Sequence, residues 1–537
     1  MNLNFASRAN WLKGLILLAL ILGIFFRFAN LDQKTYRGDE SFTSRMISGY
    51  TMAEIKQEIS QGQVIEVKDL QKYQGINSEK GLGDTIRILK QDVHPPLYYL
   101  ILKLWAQWVG SSVTATRSLS AIVSLLVFPC VYWLCIELFK SSSVGWIAIA
   151  LVAVSPFHVV YAQEARMYSL LNVAILLSSA ALLRAIRLKT RLSWGLYAIT
   201  IYLGLNTHLF FIFVAIGHSI YVVITERFRF NQVSIAYLVS ACAGLLTFLP
   251  WLIVIFTNAS SFQDSSSWIT RQTPSLTSFL SHWSRNLSYG FIDFFFIFTY
   301  YPQSLFNLGY GKLIIPLLLI LVAYSFYVLF SKTPERVWLL IFLLTGTTAT
   351  VLIAIDFLSE GYRSIIPRYL TASYLGIELA VAYLLGKHQT NFLPVNKKQQ
   401  QFWTIVTVLL ISGGILSLSI SSQFAFWWNK GKTSYDELQI TRLINQTPEP
   451  LLVTRGVPLT LSHMLNRRVN ILTIDGSNIP IIPDSFSNLF LFNPSAEIGS
   501  KLKNELGYQV KMVYKGRRKN LWQLIPTGKS RERFEKS

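Results

Sequence analysis

Residues Trp11–Phe28 read WLKGLILLALILGIFFRF, an apolar run long enough to cross a bilayer core of about 30 Å as one α-helix. Similar runs of about 18–24 residues recur as far as Ser421. No A-x-A cleavage pattern follows the first run, so we interpret it as a retained span rather than a signal peptide. Of 537 residues, 52% are hydrophobic and only 14% are charged, against about 25% in soluble domains. The sequence therefore predicts a polytopic α-helical membrane protein.

The positive charge is concentrated in the short links between the apolar runs. The net charge is +21, and cytoplasmic loops of membrane proteins carry an excess of Lys and Arg. Because these basic residues are tied to helix ends, they do not indicate a nucleic-acid site. We therefore expect the links to be cytoplasmic. They contain Lys140, Arg187, Lys189, Arg191, Arg227, Arg229, Lys332, Arg336, Lys387, Lys397 and Lys398.

Residues 94–110, HPPLYYLILKLWAQWVG, decide the topology. The segment is apolar but short, and Lys103 and Gln107 fall on one face, as in a helix that lies in the membrane interface. If the segment crossed the membrane, the basic links would all move to the outside. If it lies flat, all of them are cytoplasmic. The charge bias therefore predicts an interfacial helix in the first outer loop.

About eleven transmembrane helices are predicted within a domain of residues 1–422, with the N-terminus in the cytoplasm. Long stretches then share the outer side, namely residues 30–116, 257–311 and everything after Ser421. Outer loops of this length suggest an externally facing site. The predicted spans are 11–29, 118–139, 143–161, 168–186, 192–207, 209–226, 233–256, 312–331, 337–356, 369–386 and 402–421.

Residues 423–537 differ in character and predict a small α/β domain on the extracytoplasmic side. Its amphipathic segments predict helices at 436–445, 458–465 and 496–506. Short β-branched and aromatic runs predict strands at 451–454, 469–473, 489–492, 510–514 and 521–525. Helical patterning also occurs at 52–60 and 86–91, in the first outer loop.

An adjacent carboxylate pair, Asp39 and Glu40, follows the first span in the sequence YRGDES. Asp39 could accept the proton of an acceptor hydroxyl, and the neighbouring Arg37 could keep it ionised. The alternative is a solvated acidic turn in which Asp39 caps the next helix. Spacing alone leaves both interpretations open.

His94 stands at the start of the interfacial helix, and the two prolines that follow it are expected in the first turn. A helix start presents free N–H groups and the positive end of the dipole, which suit a phosphate, and His94 could add a hydrogen bond. The alternative is a surface histidine before a turn set by proline.

Further polar residues gather at the predicted outer ends of the spans. Glu164, Arg166 and Tyr168 lie at a membrane boundary, where charge is costly. Glu164 and Arg166 form either a structural ion pair or part of a site. His208 marks another outer turn. Arg368, followed by Tyr369, could bind a phosphate bidentately.

Several motifs of other enzyme classes are absent from the sequence. There is no P-loop, no Rossmann glycine fingerprint, no His-Glu-x-x-His motif and no Asp-x-Asp clamp for a metal-bound sugar nucleotide. A cytoplasmic nucleotide-sugar enzyme is therefore not indicated. No cofactor is required by the sequence, although Asp39, Glu40 and Glu164 could bind a divalent cation if they converge.

The order of these motifs resembles glycosyltransferase family 39. The resemblance rests on Asp39-Glu40 after the first span, His94-Pro-Pro-Leu-Tyr98-Tyr, Arg117, Ser155-Pro-Phe-His, Gln163-Glu-Ala-Arg-Met-Tyr168 and Arg368-Tyr369, and it covers about residues 10–390. Members of this family are membrane enzymes of the GT-C superfamily, related to protein O-mannosyltransferases and to the aminoarabinose transferases that modify lipid A. His94 stands where the aminoarabinose transferases carry a lysine.

The resemblance implies an inverting transfer outside the membrane, from a polyprenyl-phosphate sugar to an acceptor hydroxyl. It implies Asp39 as general base, with Glu40 positioning the base or the acceptor. His94 and Arg368 would hold the phosphate. Glu164 and Arg166 would shape the sugar pocket. The other candidate substrate-binding residues are Tyr98, Tyr168, His208 and Tyr369. The implied partners are the lipid-linked donor, a lipid, glycan or protein acceptor, and the membrane, most simply a bacterial plasma membrane.

The alternative function is a transporter or a flippase of lipid-linked sugars. Transporters usually place their coupling charges near the middle of the bilayer. Glu378 is the clear acid in the middle of a predicted span, whereas the other candidates lie at the outer rim. This distribution favours an enzyme that acts at the interface. The identities of the sugar and the acceptor stay open.

Overall fold

A computed structural model describes residues 5–36, 38–59, 62–77, 79–92, 94–258, 269, 274–294, 310–388, 397–476 and 479–527. The chain forms two compact units. The first contains Met1–Asn30, Leu89–Tyr98 and Arg117–Gln423, and the second contains Leu31–Ile88, Tyr99–Thr116 and Phe424–Ser537. The structure thus groups parts of the first predicted outer loop with the C-terminal segment. The boundary between residues 422 and 423 remains a prediction.

The described secondary structure is mostly helical. The helices are α1 (Phe5–Phe28), α2 (Gly38–Ser48), α3 (Met52–Ile59), α4 (Val67–Gln71), α5 (Leu82–Asp92), α6 (Leu97–Val109), α7 (Val113–Leu125), α8 (Val127–Phe139), α9 (Ser142–Val154), α10 (Pro156–Ala162), α11 (Tyr168–Leu188), α12 (Arg191–Thr207), α13 (Phe211–Thr225), α14 (Gln232–Leu246), α15 (Leu249–Thr257), α16 (Leu276–Ser288), α17 (Tyr310–Lys332), α18 (Glu335–Leu358), α19 (Thr371–Lys387), α20 (Lys397–Ser421), α21 (Gly431–Gln446) and α22 (Ala496–Asn504). The strands are β1 (Val64–Glu66), β2 (Pro450–Arg455), β3 (Asn470–Ile474), β4 (Asn488–Phe492), β5 (Tyr508–Lys515) and β6 (Asn520–Pro526).

The first unit holds the apolar helices and makes the chain an integral membrane protein. Within the described residues, seven segments are long and apolar enough to cross a membrane, or up to nine if each of two bent helix pairs is one span. One pair, α9 and α10, is bent by 59° at Ser155, which precedes Pro156. A residue before proline is disfavoured in helical conformation, which explains the break. The other pair, α14 and α15, is bent by 51°.

The predicted count of eleven spans remains a prediction. The two further segments that the sequence assigned to spans are α12, with 17 residues, and α13, with 15 residues. At a rise of about 1.5 Å per residue, both are shorter than a bilayer core of about 30 Å. The same argument applies to α6, whose 13 residues are too few to cross, as expected for the predicted interfacial helix.

Two details of the interfacial segment differ from the sequence prediction. Helix α6 begins at Leu97, so Pro95 and Pro96 precede it instead of forming its first turn. Lys103 is fully buried, and its Nζ donates hydrogen bonds of 3.0 Å to the carbonyl oxygens of Ile47 and Lys80. The sequence placed Lys103 with Gln107 on a polar face because partners so distant in sequence leave no local pattern.

The start of the first unit is fixed by Arg27, which is 1% exposed near the end of α1. Its guanidinium donates to the carbonyl oxygens of Gly23, Ala153 and Val152 at 2.8, 2.7 and 3.0 Å. A Cβ at Gly23 would collide with the carbonyl of Ala153. Glycine therefore lets α1 approach α9 closely enough for these hydrogen bonds to form.

The second unit contains a six-stranded sheet in the order β1-β3-β2-β4-β6-β5. Strand β2 is parallel to β3 and β4, and the remaining pairs are antiparallel. The five strands predicted in residues 423–537 are confirmed, as are the helices predicted at 436–445, 496–506, 52–60 and 86–91. Strand β1 was not predicted, because three residues are too few to show alternation.

The helix predicted at 458–465 is wrong, because these residues form consecutive turns. The backbone N–H groups of Leu461 and Met464 bond to carbonyls three residues earlier. The carbonyl of Leu459 instead accepts hydrogen bonds from Ser41 Oγ at 3.0 Å and from Gln74 Nε2 at 2.6 Å. Side chains far away in the sequence therefore satisfy a backbone group that a helix would otherwise bond internally.

Candidate active site

The residues predicted to form the site occur in both units. Asp39 and Glu40 belong to the second unit, and the eight predicted binding residues belong to the first.

Asp39 and Glu40 lie in the first turn of α2. This position stabilises negative charge through the helix dipole. Asp39 is half-buried, and its backbone carbonyl accepts the Thr43 hydroxyl at 2.9 Å. Arg37, which the sequence suggested as a partner for Asp39, lies outside the described residues.

Glu40 has a different environment from its neighbour. Its side chain is fully buried, and its Oε2 lies 2.9 Å from the Nζ of Lys430, which is 3% exposed. The preceding segment is held by the same part of the chain, since Lys34 Nζ and Thr35 Oγ1 donate to the carbonyls of Phe424 and Ala425. The ion pair with Lys430 therefore fixes Glu40 at the start of α2. The sequence did not indicate Lys430 as its partner.

In the first unit, residues 163–167 interrupt the helical path between α10 and α11. Gln163 Nε2 donates to the carbonyls of Phe26 and Ala29, at 2.6 and 2.9 Å. The Arg166 N–H donates to the Glu164 carbonyl at 2.7 Å. Glu164 and Arg166 are 1% and 6% exposed. Glu164 and Arg166 are thus buried in a turn that is hydrogen-bonded, through Gln163, to the end of α1.

Tyr98 supports the same turn. It is 1% exposed, and its hydroxyl lies 2.7 Å from Ser120 Oγ, which in turn donates to the Arg166 carbonyl at 3.1 Å. The structure therefore brings Tyr98 to the Arg166 turn through Ser120, a residue that the sequence did not indicate.

Three of the predicted aromatic residues form one row of rings in the first unit. The centroid of Tyr168 lies 6.0 Å from that of His208, and His208 lies 5.2 Å from Phe210. Phe210 lies 4.9 Å from Tyr369. Phe210, which sequence reasoning missed, thus connects His208 to the Arg368–Tyr369 turn.

Basic residues surround His208. Burial and, to a smaller extent, the charges of His94, Arg166 and Arg368 lower the pKa of His208 to about 3. Its Nδ1 accepts the Phe210 N–H at 3.1 Å. The guanidinium carbon of Arg368 lies 5.5 Å from the ring centroid of Tyr369, and Arg368 is 7% exposed. The structure therefore brings three predicted basic groups together around one neutral imidazole.

Arg363, which precedes this group, has a structural partner. Its guanidinium lies 3.4 Å from Asp356 Oδ1, and the same carboxylate accepts the backbone N–H groups of Arg363 and Ser364 at 2.8 and 2.6 Å. Asp356 is 1% exposed. These bonds fix the turn that leads to Arg368.

A second buried pair connects the motif around Ser155 to α19. His158 Nε2 lies 2.8 Å from Glu378 Oε2, and both residues are almost completely buried. Glu378 was recognised in the sequence as a mid-span acid, but its partner was not. The pair joins α10, which leads into the Glu164–Arg166 turn, to the helix that follows Arg368 and Tyr369.

In the part of the chain that the structure describes, no three or more His, Cys, Asp or Glu side chains are grouped so that they could hold a metal ion. More than half of residues 257–311, one of the predicted outer stretches, lies outside the described residues.

Comparisons with known proteins agree with this architecture. A family profile described as "Dolichyl-phosphate-mannose-protein mannosyltransferase" matches residues 93–254. No curated protein matches the chain significantly by sequence.

Two solved structures of ArnT from Cupriavidus metallidurans are similar to the chain. The apo structure has a TM-score of 0.51, and the structure bound to undecaprenyl phosphate has a TM-score of 0.48. Each is 13% identical and covers 96% of this chain and 98% of the other. The apo structure shows a common fold. Together with the family match over residues 93–254 and the apolar helices, this fold supports a membrane glycosyltransferase of the GT-C superfamily.

Proposed function

We propose that the protein transfers a sugar from a polyprenyl-phosphate donor to an acceptor hydroxyl, with inversion at the anomeric carbon and with Asp39 as general base. The observation that carries the proposal is the group of basic residues around His208. Burial is the largest cause of the lowered pKa of His208, and Arg166, Arg368 and His94 lie close enough to lower it further. A phosphate is the anion that such a group suits best.

Arginine is well adapted to this role. Its planar guanidinium can donate two parallel hydrogen bonds to phosphate oxygens. The backbone N–H of Arg166 donates to the Glu164 carbonyl, and the backbone carbonyl of Arg368 accepts the Thr371 hydroxyl, so both turns are held by hydrogen bonds. Donors that are already in place stabilise the negative charge that develops on a leaving phosphate without reorganisation during the reaction.

The chemistry requires a base as well as a phosphate site. In the proposed step, the acceptor oxygen attacks the anomeric carbon and its proton passes to the Asp39 carboxylate. The bond between the anomeric carbon and the phosphate oxygen breaks, and polyprenyl phosphate leaves with the electron pair. A single displacement from the opposite face inverts the configuration. Glu40, held by Lys430, would position the turn that carries Asp39.

The positive charge of the short links supports an orientation in which they are cytoplasmic. We therefore place the reaction on the extracytoplasmic side of a plasma membrane, where a lipid-linked donor needs no soluble nucleotide sugar. Roles in donor binding for Tyr98, Glu164, Tyr168 and Tyr369 are part of the same proposal.

The test is turnover of a panel of radiolabelled polyprenyl-phosphate sugars by purified full-length protein, supplied with lipid, glycan and peptide acceptors. We expect at least one donor to react, and Asp39→Asn to lower kcat about 100-fold or more. Asp32→Asn is the matched control, because Asp32 is an exposed carboxylate seven residues earlier and should leave turnover unchanged. Unchanged turnover in Asp39→Asn would remove Asp39 from its role. Reaction with sugar nucleotides instead of lipid-linked sugars would overturn the donor class.

A further inference from the structure

Helices α12 and α14 enclose a lateral groove that the proposed reaction does not use. Its volume is about 490 Å³, within the range of roughly 300–1,000 Å³ for ligand pockets. Its floor is made largely by small residues, and a Cβ added at Gly195 would meet no atom within 4 Å. The small lining residues are Gly195, Ala198, Ala236, Ser240 and Ala243.

The groove is closed at one end. A Cβ at Gly244 would lie 2.6 Å from Ile201 Cγ2 and 3.0 Å from the Ala198 carbonyl oxygen. The helices therefore touch there, and the groove extends towards their N-terminal ends, where Lys189, Arg191 and Gln232 line it. The groove is a narrow apolar slot with a polar mouth.

The flanks of the slot indicate what can enter it. Val239, which lines the groove, is 65% exposed, and Ile199 and Ile235, each next to a lining residue in the sequence, are 56% and 53% exposed. In a membrane protein, exposed aliphatic side chains of this kind face hydrocarbon. Helix α14 also belongs to one of the bent pairs that are long and apolar enough to cross a membrane. An occupant that enters from the side is therefore a hydrocarbon chain.

The mouth of the groove is positively charged, because Lys189 and Arg191 lie in the short link between α11 and α12. Lys189 ends α11 in a left-handed conformation (φ 56°), and Thr190 caps α12 by accepting the Ser193 N–H. Lys189 and Arg191 are exposed, and neither forms an ion pair with a carboxylate among the residues that the structure describes. By contrast, Arg187 is engaged by Glu137 at 2.7 Å. The charge at the mouth is available to an anion.

We propose that this groove binds an anionic phospholipid, with one acyl chain between α12 and α14 and the phosphate of the headgroup at Lys189 and Arg191. An apolar slot next to two fixed cations complements a molecule that has both a hydrocarbon chain and a negative head. Basic pockets between transmembrane helices bind anionic lipid headgroups for the same reason. The N-terminal ends of both helices lie at the mouth and add the positive ends of their dipoles.

The experiment is lipid titration of purified full-length protein in detergent, followed by native mass spectrometry and by the thermal unfolding midpoint. The probes are phosphatidylglycerol and phosphatidylcholine with the same acyl chains. We expect preferential binding of phosphatidylglycerol. Lys189→Asn combined with Arg191→Gln should weaken that binding about ten- to thirty-fold and leave phosphatidylcholine unaffected. Asn is chosen because it tolerates the left-handed conformation.

The matched charge control is Arg227→Asn with Arg229→Gln, two exposed basic residues in the next short link. Arg227 is likewise left-handed, with φ 53°, and this pair does not line the groove. The matched steric pair is Gly195→Phe and Gly346→Phe, since both glycines have open space around an added Cβ. Only Gly195→Phe should displace lipid. A monodisperse elution profile with unchanged helical content establishes that each variant is folded.

Equal binding of both lipids by the wild type would overturn the proposal. Unchanged phosphatidylglycerol binding in the Lys189–Arg191 variant or in Gly195→Phe would also overturn it. Loss of binding in the Arg227–Arg229 control, to the same extent, would show that the preference reflects overall surface charge and not this groove.

Discussion

Glu40 and Lys430, which are 390 positions apart in the sequence, form an ion pair with an Oε2–Nζ distance of 2.9 Å and side chains that are at most 2% exposed. The pair fixes the first turn of α2, where Asp39 also lies. A buried charge that loses its partner is strongly destabilising, whereas replacement of both partners is often tolerated. The stability of this turn should therefore depend on both residues together.

Lys430→Met should lower the free energy of unfolding by about 3–5 kcal/mol, because it leaves Glu40 charged and buried without Lys430. The double variant Glu40→Gln with Lys430→Met should recover much of this loss, which thermal unfolding of the purified protein would measure. The control is Lys72→Met, since Lys72 pairs with Glu58 at 3.1 Å with both side chains about half exposed. That change should have an effect of at most about 1 kcal/mol. A Lys430→Met effect as small as the control would contradict this interpretation.

Arg368→Gln should weaken binding of polyprenyl phosphate about 10-fold or more, since a charge-assisted hydrogen bond contributes roughly 1.5–3 kcal/mol. Arg368→Lys should recover only part of the affinity, because it keeps the charge but loses the bidentate geometry. Fluorescence or calorimetric titration with undecaprenyl phosphate would measure both. Arg229→Gln, an exposed change elsewhere, should have no effect. Equal affinity in wild type and Arg368→Gln would remove Arg368 from the phosphate site.

His208 should make stability depend on pH in a defined direction. Its pKa is lowered from 6.5 to about 3 in the folded protein, so between these values the unfolded chain binds the additional proton. Stability should therefore fall as the pH is lowered from about 6.5 towards 3. His208→Asn should flatten this part of the profile of unfolding midpoint against pH. A bound phosphate ligand should also reduce the slope, because it offsets the charges that disfavour protonation. An identical pH profile in His208→Asn would exclude this linkage.

Glu437, in α21 of the second unit, should make stability depend on pH in the direction opposite to that of His208. Burial raises its pKa from 4.5 to about 7, opposed by Lys519 and assisted by Asp436. Between these values the folded protein holds a proton that the unfolded chain has lost, so stability should fall as the pH rises from about 4.5 to 7. Glu437→Gln should raise stability at pH 8 by up to about 3 kcal/mol and leave stability at pH 4 unchanged. Unfolding midpoints of the wild type and of Glu437→Gln at pH 4 and pH 8 would measure this difference. A stabilisation of equal size at both pH values would contradict the raised pKa of Glu437.

Sequence patterns predicted the helices and strands that are determined by the residues within each segment. The apolar runs, the five strands of the C-terminal segment and the short α6 all follow from periodicity and length. The break at Ser155 follows from the proline after it, although the sequence did not reveal the bend of 59°. Predictions were wrong where partners lie far apart. Lys103 bonds to the carbonyls of Ile47 and Lys80, and the turns at 458–465 depend on Ser41 and Gln74.

In the candidate site, too, the sequence indicated residues with a local signal but not their distant partners. Charged residues at predicted helix ends pointed to Arg166, His208 and Arg368, because charge is costly at a membrane boundary. The residues that hold them gave no such signal. Ser120, Phe210 and Asp356 are ordinary residues in their local sequence, and only the fold shows that they fix the turns around the basic group.

The most direct test of the central claim follows a labelled polyprenyl-phosphate sugar in proteoliposomes that contain the full-length protein and an acceptor. We predict loss of the intact donor, with equal amounts of polyprenyl phosphate released and sugar joined to the acceptor. Movement of the intact lipid-linked sugar across the bilayer, with no release of polyprenyl phosphate, would contradict the transferase function and indicate a flippase.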